Sequence, residues 1–130
     1  MTNQIQNPNS KNKFDLKERT AKFGEDTINF VMRLQKNLVN SSLISQFVRA
    51  ATSIGANYME ADGSVSKKDF ENKVGISRKE SKETMHWLRM LAHANPDKKE
   101  ECRNLYKEAQ ELVWIFSSII NNSKNNKDKK

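Results

Sequence analysis

Glu83 and His86 stand three residues apart in a stretch of helical periodicity, a spacing that makes one half of a ferritin-like di-iron ligand set. The second half is missing, because the other histidine is His93 and the residue three places before it is Met90. His86 also falls about 160° from the apolar stripe of its helix, so it points away from a bundle interior. Cys102 lies on an apolar stripe and has only two histidines anywhere in the chain to serve as a base, which reads as a buried structural thiol rather than a nucleophile. Neither a G-x-x-x-x-G-K-[ST] loop nor a G-x-G-x-x-G turn occurs. The expectation is a protein without enzymatic activity, cofactor, metal or small-molecule substrate.

Charge is the next chemical feature. The 130 residues carry a net +7, with 35% hydrophobic content, but the excess sits at the ends. Between Phe14 and Ile120, seventeen Lys and Arg face fifteen Asp and Glu. The ends, such as Asn121 to Lys130, are too polar to bury apolar area that would offset chain entropy, so 1–13 and 122–130 are expected to be flexible tails, the latter basic. Lys67, Lys68, Lys73, Arg78, Lys79, Lys124, Lys127, Lys129 and Lys130 are the candidate phosphate contacts. The first five of these, together with Lys82, are interleaved with Asp69, Glu71, Glu80 and Glu83, which predicts a modest local field.

These residues need elements to hold them. Apolar residues recur every three or four positions, glycine is scarce, and Pro96 alone interrupts the body, all of which argues helix throughout. The spacing predicts one domain over 14–121 with helices at about 15–39, 43–61, 66–94 and 96–121. Asp15-x-x-Glu18 and Ser66-x-x-Asp69 are capping-box patterns, Asn40, Ser41 and Ser42 are read as a break, Asp62 and Gly63 as a stop, and Asn95-Pro96 as a new start. Short connections between long helices give an all-α, up-down-up-down antiparallel four-helix bundle. The longest apolar run, Leu112 to Ile120, is far below the roughly 20 residues of a membrane helix, and the N-terminus lacks an apolar signal core. With one cysteine, a cytoplasmic location without membrane association is expected.

Faces left over from the core carry the remaining information. On the second helix, Arg49, Ser53, Asn57 and Glu60 share a polar line opposite the core stripe, beside the small residues Ala50, Gly55 and Ala56. On the third, Ile76, Glu80, Glu83, Trp87 and Met90 lie about 80° to 160° to one side of the stripe. Trp114 and Ile115 on the fourth lie about 100° and 200° from Val113 and cannot both enter one core. Such surplus apolar faces point to self-association through Ile76, Trp87, Met90, Trp114 and Ile115.

The run Val48-Arg49-Ala50-Ala51-Thr52-Ser53-Ile54-Gly55-Ala56-Asn57-Tyr58-Met59-Glu60-Ala61 resembles the R-A-A-x-S-I-x-A-N-x-x-E-[AG] signature of the four helix bundle proteins that include the 23S ribosomal RNA intervening-sequence proteins. The likeness continues through Ser66 to Phe70, Lys79 to Thr84 and Trp87 to Leu91, and covers about Phe14 to Ile120. The resemblance implies a small bacterial, cytoplasmic, non-enzymatic bundle that assembles into a ring, commonly a pentamer. A branch that looks related comprises the accessory variability proteins of diversity-generating retroelements, and that likeness implies RNA, DNA or a reverse transcriptase as partner. The resemblance also places Arg49, Asn57, Glu60, Glu80 and Glu83 in a polar network between helices or between subunits. The near-neutral body departs from the strongly basic accessory branch. Two readings of function follow: a homo-oligomeric nucleic-acid or reverse-transcriptase adaptor, and, as the alternative, a protein-only interaction scaffold.

Overall fold

The computed structural model describes residues 15–128. The expected tail at 1–13, Phe14, Lys129 and Lys130 lie outside them, as does the side chain of Lys127. Among the described residues every regular element is helical: α1 (Leu16–Val31), α2 (Leu38–Asp62), α3 (Lys67–Ala94), a 3₁₀ turn (Pro96–Lys98) and α4 (Lys99–Asp128).

The four helices run up, down, up and down, and three cross-helix pairs show the register. Lys17 reaches Asp62 at 3.1 Å between the start of α1 and the end of α2. The Ser77 hydroxyl donates to the Ile54 carbonyl at 2.9 Å between α3 and α2. Arg19 donates in a fork to Glu108 at 2.6 and 2.9 Å, and to Glu111 at 2.8 Å, clasping α1 to α4. The core between them is the predicted apolar stripe set: Phe23 and Phe30 from α1, Phe47 and Ile54 from α2, Val74, Leu88 and Leu91 from α3, Leu112 and Phe116 from α4. Phe30 meets Phe47 edge-on with centroids 6.3 Å apart, and Tyr58 lies 6.0 Å from Phe116. Burial of this set is the main stabilising term, roughly 1.5 to 3 kcal/mol for each large side chain.

Small residues bring helices together where the core narrows. A Cβ on Gly55 would lie 3.2 Å from Thr20 Oγ1 and 3.4 Å from the α1 backbone, so α1 and α2 touch there. Ser77, Ser81 and Thr84 are buried on α3 and satisfy their hydroxyls on the Ile54, Ser77 and Glu80 carbonyls.

Several expected boundaries are corrected. The first helix ends at Val31, not 39, and the break falls on 32–37 rather than on Asn40 to Ser42. Arg33 and Leu34 tighten into i to i+3 bonds on Phe30 and Val31, Leu34 turns inward, and Asn37 caps α2 by accepting the Asn40 amide at 2.8 Å. Asn40 therefore belongs to the first turn of α2. Asp15 occupies the cap position of α1 but makes no side-chain cap, whereas Ser66 accepts the Asp69 amide at 3.0 Å as the capping pattern predicts. Pro96 opens a single 3₁₀ turn, so α4 begins at Lys99 rather than 96. It then runs past 121 to Asp128. No glycine or proline interrupts it, and the Ser123 hydroxyl donates to Glu71 of α3 at 2.6 Å, anchoring a segment expected to be tail. Among the described residues no helix is long and apolar enough to cross a membrane.

Candidate functional site

Two flanks of the bundle hold the residues of interest, one between α2 and α3 and one between α3 and α4. On the first, Arg49 reaches across to α3, donating to Glu83 at 2.8 Å and approaching Glu80 at 3.5 Å. Arg49 thus links α2 to α3. Glu80 is almost enclosed, with 10% of its side chain exposed, so Arg49 supplies the positive charge for a carboxylate largely removed from water.

The rest of the expected network does not join it. Glu60 binds Lys73 at 2.8 Å and holds that ammonium above its usual range. Ser53 and Asn57 turn back on their own helix, donating to the Arg49 carbonyl at 2.7 Å and the Ser53 carbonyl at 2.9 Å. The physical reason is local: short hydroxyl and amide side chains find a carbonyl one turn away before they can span to another helix.

The apolar interface candidates divide. Trp87 and Ile115 pack against the core, so their surplus was partly a consequence of a wide core stripe. The Trp87 indole N–H is buried and has no hydrogen-bond partner among the described residues. Met90 is half-buried, Ile76 is exposed, and Trp114 is 61% exposed. His86 meets the Trp87 ring edge-on at 4.9 Å, and Glu83 is held by Arg49, so the two do not converge on a common point. Among the described residues no three His, Cys, Asp or Glu side chains cluster as a metal site would require. Cys102 is a buried free thiol, and burial pushes it up to about 11.

The flank between α3 and α4 is where the sequence-level estimate of charge fails. Lys and Glu alternate along α3, but the helix turns about 100° per residue and separates them. Glu80 and Glu83 face α2, where Arg49 neutralises them, and Asp69 sits in the capped first turn. Arg78 faces α4, donating to the Ser117 hydroxyl at 3.4 Å. Lys82 and Arg89 follow Arg78 on the same side at four and eleven residues, within about 40° of it.

From α4, Lys99, Arg103 and Lys124 come to the same flank. One groove is lined by Arg89, Lys99, Cys102, Arg103 and Tyr106, and a second by Lys68, Glu71, Arg78, Ile120 and Lys124. The acidic side chains of α4 mostly leave on its other side: Glu108 and Glu111 are bound by Arg19 of α1, and Glu101 by Arg33 of the α1–α2 turn. Glu71, bonded to Ser123, and Glu100, 3.1 Å from Arg103, are the acids that remain here.

Of the expected phosphate contacts, Lys68, Arg78 and Lys124 meet on this flank. Lys73 is engaged with Glu60 on the other flank, and Lys67 and Lys79 are exposed without joining either groove. Arg89, Arg103, Tyr106 and Lys99 were missed. Helical phase applied to the charged residues, and not just to the apolar ones, would have grouped them.

An antiparallel all-α bundle with a self-contained core defines the class. The chain matches the model of the 23S rRNA-intervening sequence protein family over residues 12–118, and it belongs to that family. It is similar to a crystal structure from Bacteroides thetaiotaomicron described as a protein of unknown function from the S23 ribosomal protein family, with 32% identity, a TM-score of 0.72, and coverage of 80% of this chain and 96% of that one. No curated protein matches the chain.

Proposed function

We propose that this protein is a non-enzymatic, homo-oligomeric bundle of the cytoplasm that binds nucleic acid through its α3/α4 flank and so acts as an adaptor. One observation carries the reading: α3 sends Glu80 and Glu83 to Arg49 on one side and Arg78 to α4 on the other, so charges that alternate in sequence become a one-sided basic surface. Such a surface gains affinity for phosphates by releasing their counterions. The family name, which refers to 23S rRNA, favours RNA as the polyanion. Assembly is assigned to the α2/α3 flank, where Ile76 is exposed and the Trp87 N–H is unpaired beside half-buried Met90. The resemblance of the Arg49 to Ala61 run implies a pentamer. A ring would repeat the basic flank and multiply its contacts.

A second reading, a protein-only interaction scaffold without nucleic-acid binding, is favoured by exposed Met32, Leu38 and Val39 around the α1–α2 turn. Absolute mass by light scattering, with and without a mixed-sequence RNA, separates the two. The adaptor reading expects five chains of 15.0 kDa, about 75 kDa, at low and moderate salt, with a further increase when RNA is added. A 15.0 kDa monomer indifferent to RNA would overturn it.

A further inference from the structure

Trp114 stands 61% exposed on a helix whose apolar stripe lies elsewhere, about 60° around α4 from Ser117 and so at the outer rim of the α3/α4 flank. Ser117, one turn further along α4, receives Arg78 from α3. Tyr106, also exposed, lines the groove with Arg89 and Arg103, about 12 Å back along the axis of α4 and about 80° around it from Trp114. From Arg78 to Arg89 the basic row of α3 spans about 16 Å, so it runs beside both rings.

We propose that this flank takes its nucleic acid as a single strand, with Trp114 stacking on an unpaired base and Arg78, Lys82, Arg89 and Arg103 holding the phosphates on either side. The inference rests on the nucleic-acid reading above and specifies its substrate class. A duplex keeps its base faces stacked inside and offers an indole nothing but sugar and phosphate, whereas a single strand can splay a base onto it. A spacing of about 12 Å between Tyr106 and Trp114 suits rings two to three nucleotides apart on an extended strand. A second copy of the chain presenting the same flank would set Arg78, Lys82, Arg89 and Arg103 against their own like charges, which disfavours that occupant.

The test uses the full chain and two labelled RNAs with equal numbers of phosphates, an unstructured oligouridylate and a perfect duplex, read by fluorescence anisotropy for wild type, Trp114→Ala and Trp114→Phe. Trp114→Ala is expected to weaken oligouridylate binding about tenfold and duplex binding less than twofold, with the salt slope unchanged and Trp114→Phe close to wild type. Because the side chain is largely exposed, its removal leaves the core intact. Equal effects on both RNAs, or no effect, would overturn the single-strand inference while the wider reading stands. A Trp114→Ala protein of lower solution mass but undiminished RNA affinity would also overturn it, by assigning the ring to a subunit contact. Failure of wild type to bind either RNA would overturn both.

Discussion

Asn40 and Asn95 form a reciprocal amide pair at one end of the bundle, each Nδ2 donating to the other's Oδ1, at 3.0 and 2.9 Å. Each amide spends its second donor on a carbonyl, Asn40 on Gln35 at 2.8 Å and Asn95 on Leu91 at 3.0 Å. Both side chains are buried, so the pair joins the α1–α2 turn to the α3–α4 turn through groups that have little access to water. Replacing either residue with alanine strands the other amide and is expected to cost about 1 to 3 kcal/mol in urea unfolding. The double Asn40→Leu, Asn95→Leu variant should lose less than the two single alanine costs added together. Additive losses would mean the pair is not coupled.

Arg49 and its two carboxylates allow a second comparison. Arg49→Ala leaves Glu80 nearly enclosed without its cation, and because the guanidinium is itself half-exposed the expected loss is about 1 to 2 kcal/mol, below that of a fully buried pair. Glu83→Ala removes the better exposed carboxylate and should cost about 0.5 kcal/mol. Thermal unfolding that ranks Glu83→Ala as the more damaging change would reverse this account of the flank.

Gly55 and Gly75 predict opposite signs. A side chain at Gly55 runs into Thr20, whose hydroxyl is already bonded to the Leu16 carbonyl and cannot easily give way, so Gly55→Val should destabilise by about 2 kcal/mol. Nothing lies within 4 Å of a Cβ at Gly75. Gly75→Ala should therefore stabilise by up to about 1 kcal/mol through helix propensity alone. Guanidinium unfolding midpoints of the two variants check the pair.

The Cys102 thiol is raised from 9.0 to about 11 by burial, with a smaller contribution from Glu101. Its folded-state value exceeds its unfolded one, so the stability it contributes is complete below pH 9 and is lost as pH rises toward about 11. Stability measured across that window should fall less steeply in Cys102→Ala than in wild type. At pH 8 a thiol reagent should label wild type only as fast as the bundle opens, and rapid labelling of the whole population would contradict the burial.

The core was legible because apolar phase is a local property: Phe47, Ile54, Val74, Leu88, Leu112 and Phe116 all lie where a 3.6-residue period places them. The α1–α2 connection was not. Asparagine and serine serve equally as helix breakers and first-turn residues, and only the partnership of Asn40 with Asn95, 55 positions away, decides between the two. The same limit applies to Arg49, whose choice of Glu83 over Glu60 depends on how α2 packs against α3. Charge on α3 was misjudged for a different reason. Counting Lys and Glu along a segment averages over the helix circumference, whereas a phosphate backbone meets one side of it.

That sorting of charge is the centre of the account, and two double reversals with the same change in net charge test it most directly. Arg78→Glu with Arg89→Glu alters the α3/α4 flank, and Lys22→Glu with Lys36→Glu alters exposed positions on α1 and the α1–α2 turn. RNA affinity of both, measured over a range of salt, should fall more than about tenfold with a shallower salt slope in the first variant, and by no more than about threefold in the second. Equal losses would mean that net charge alone attracts the RNA, and that the one-sided surface on α3 and α4 has no role in binding it.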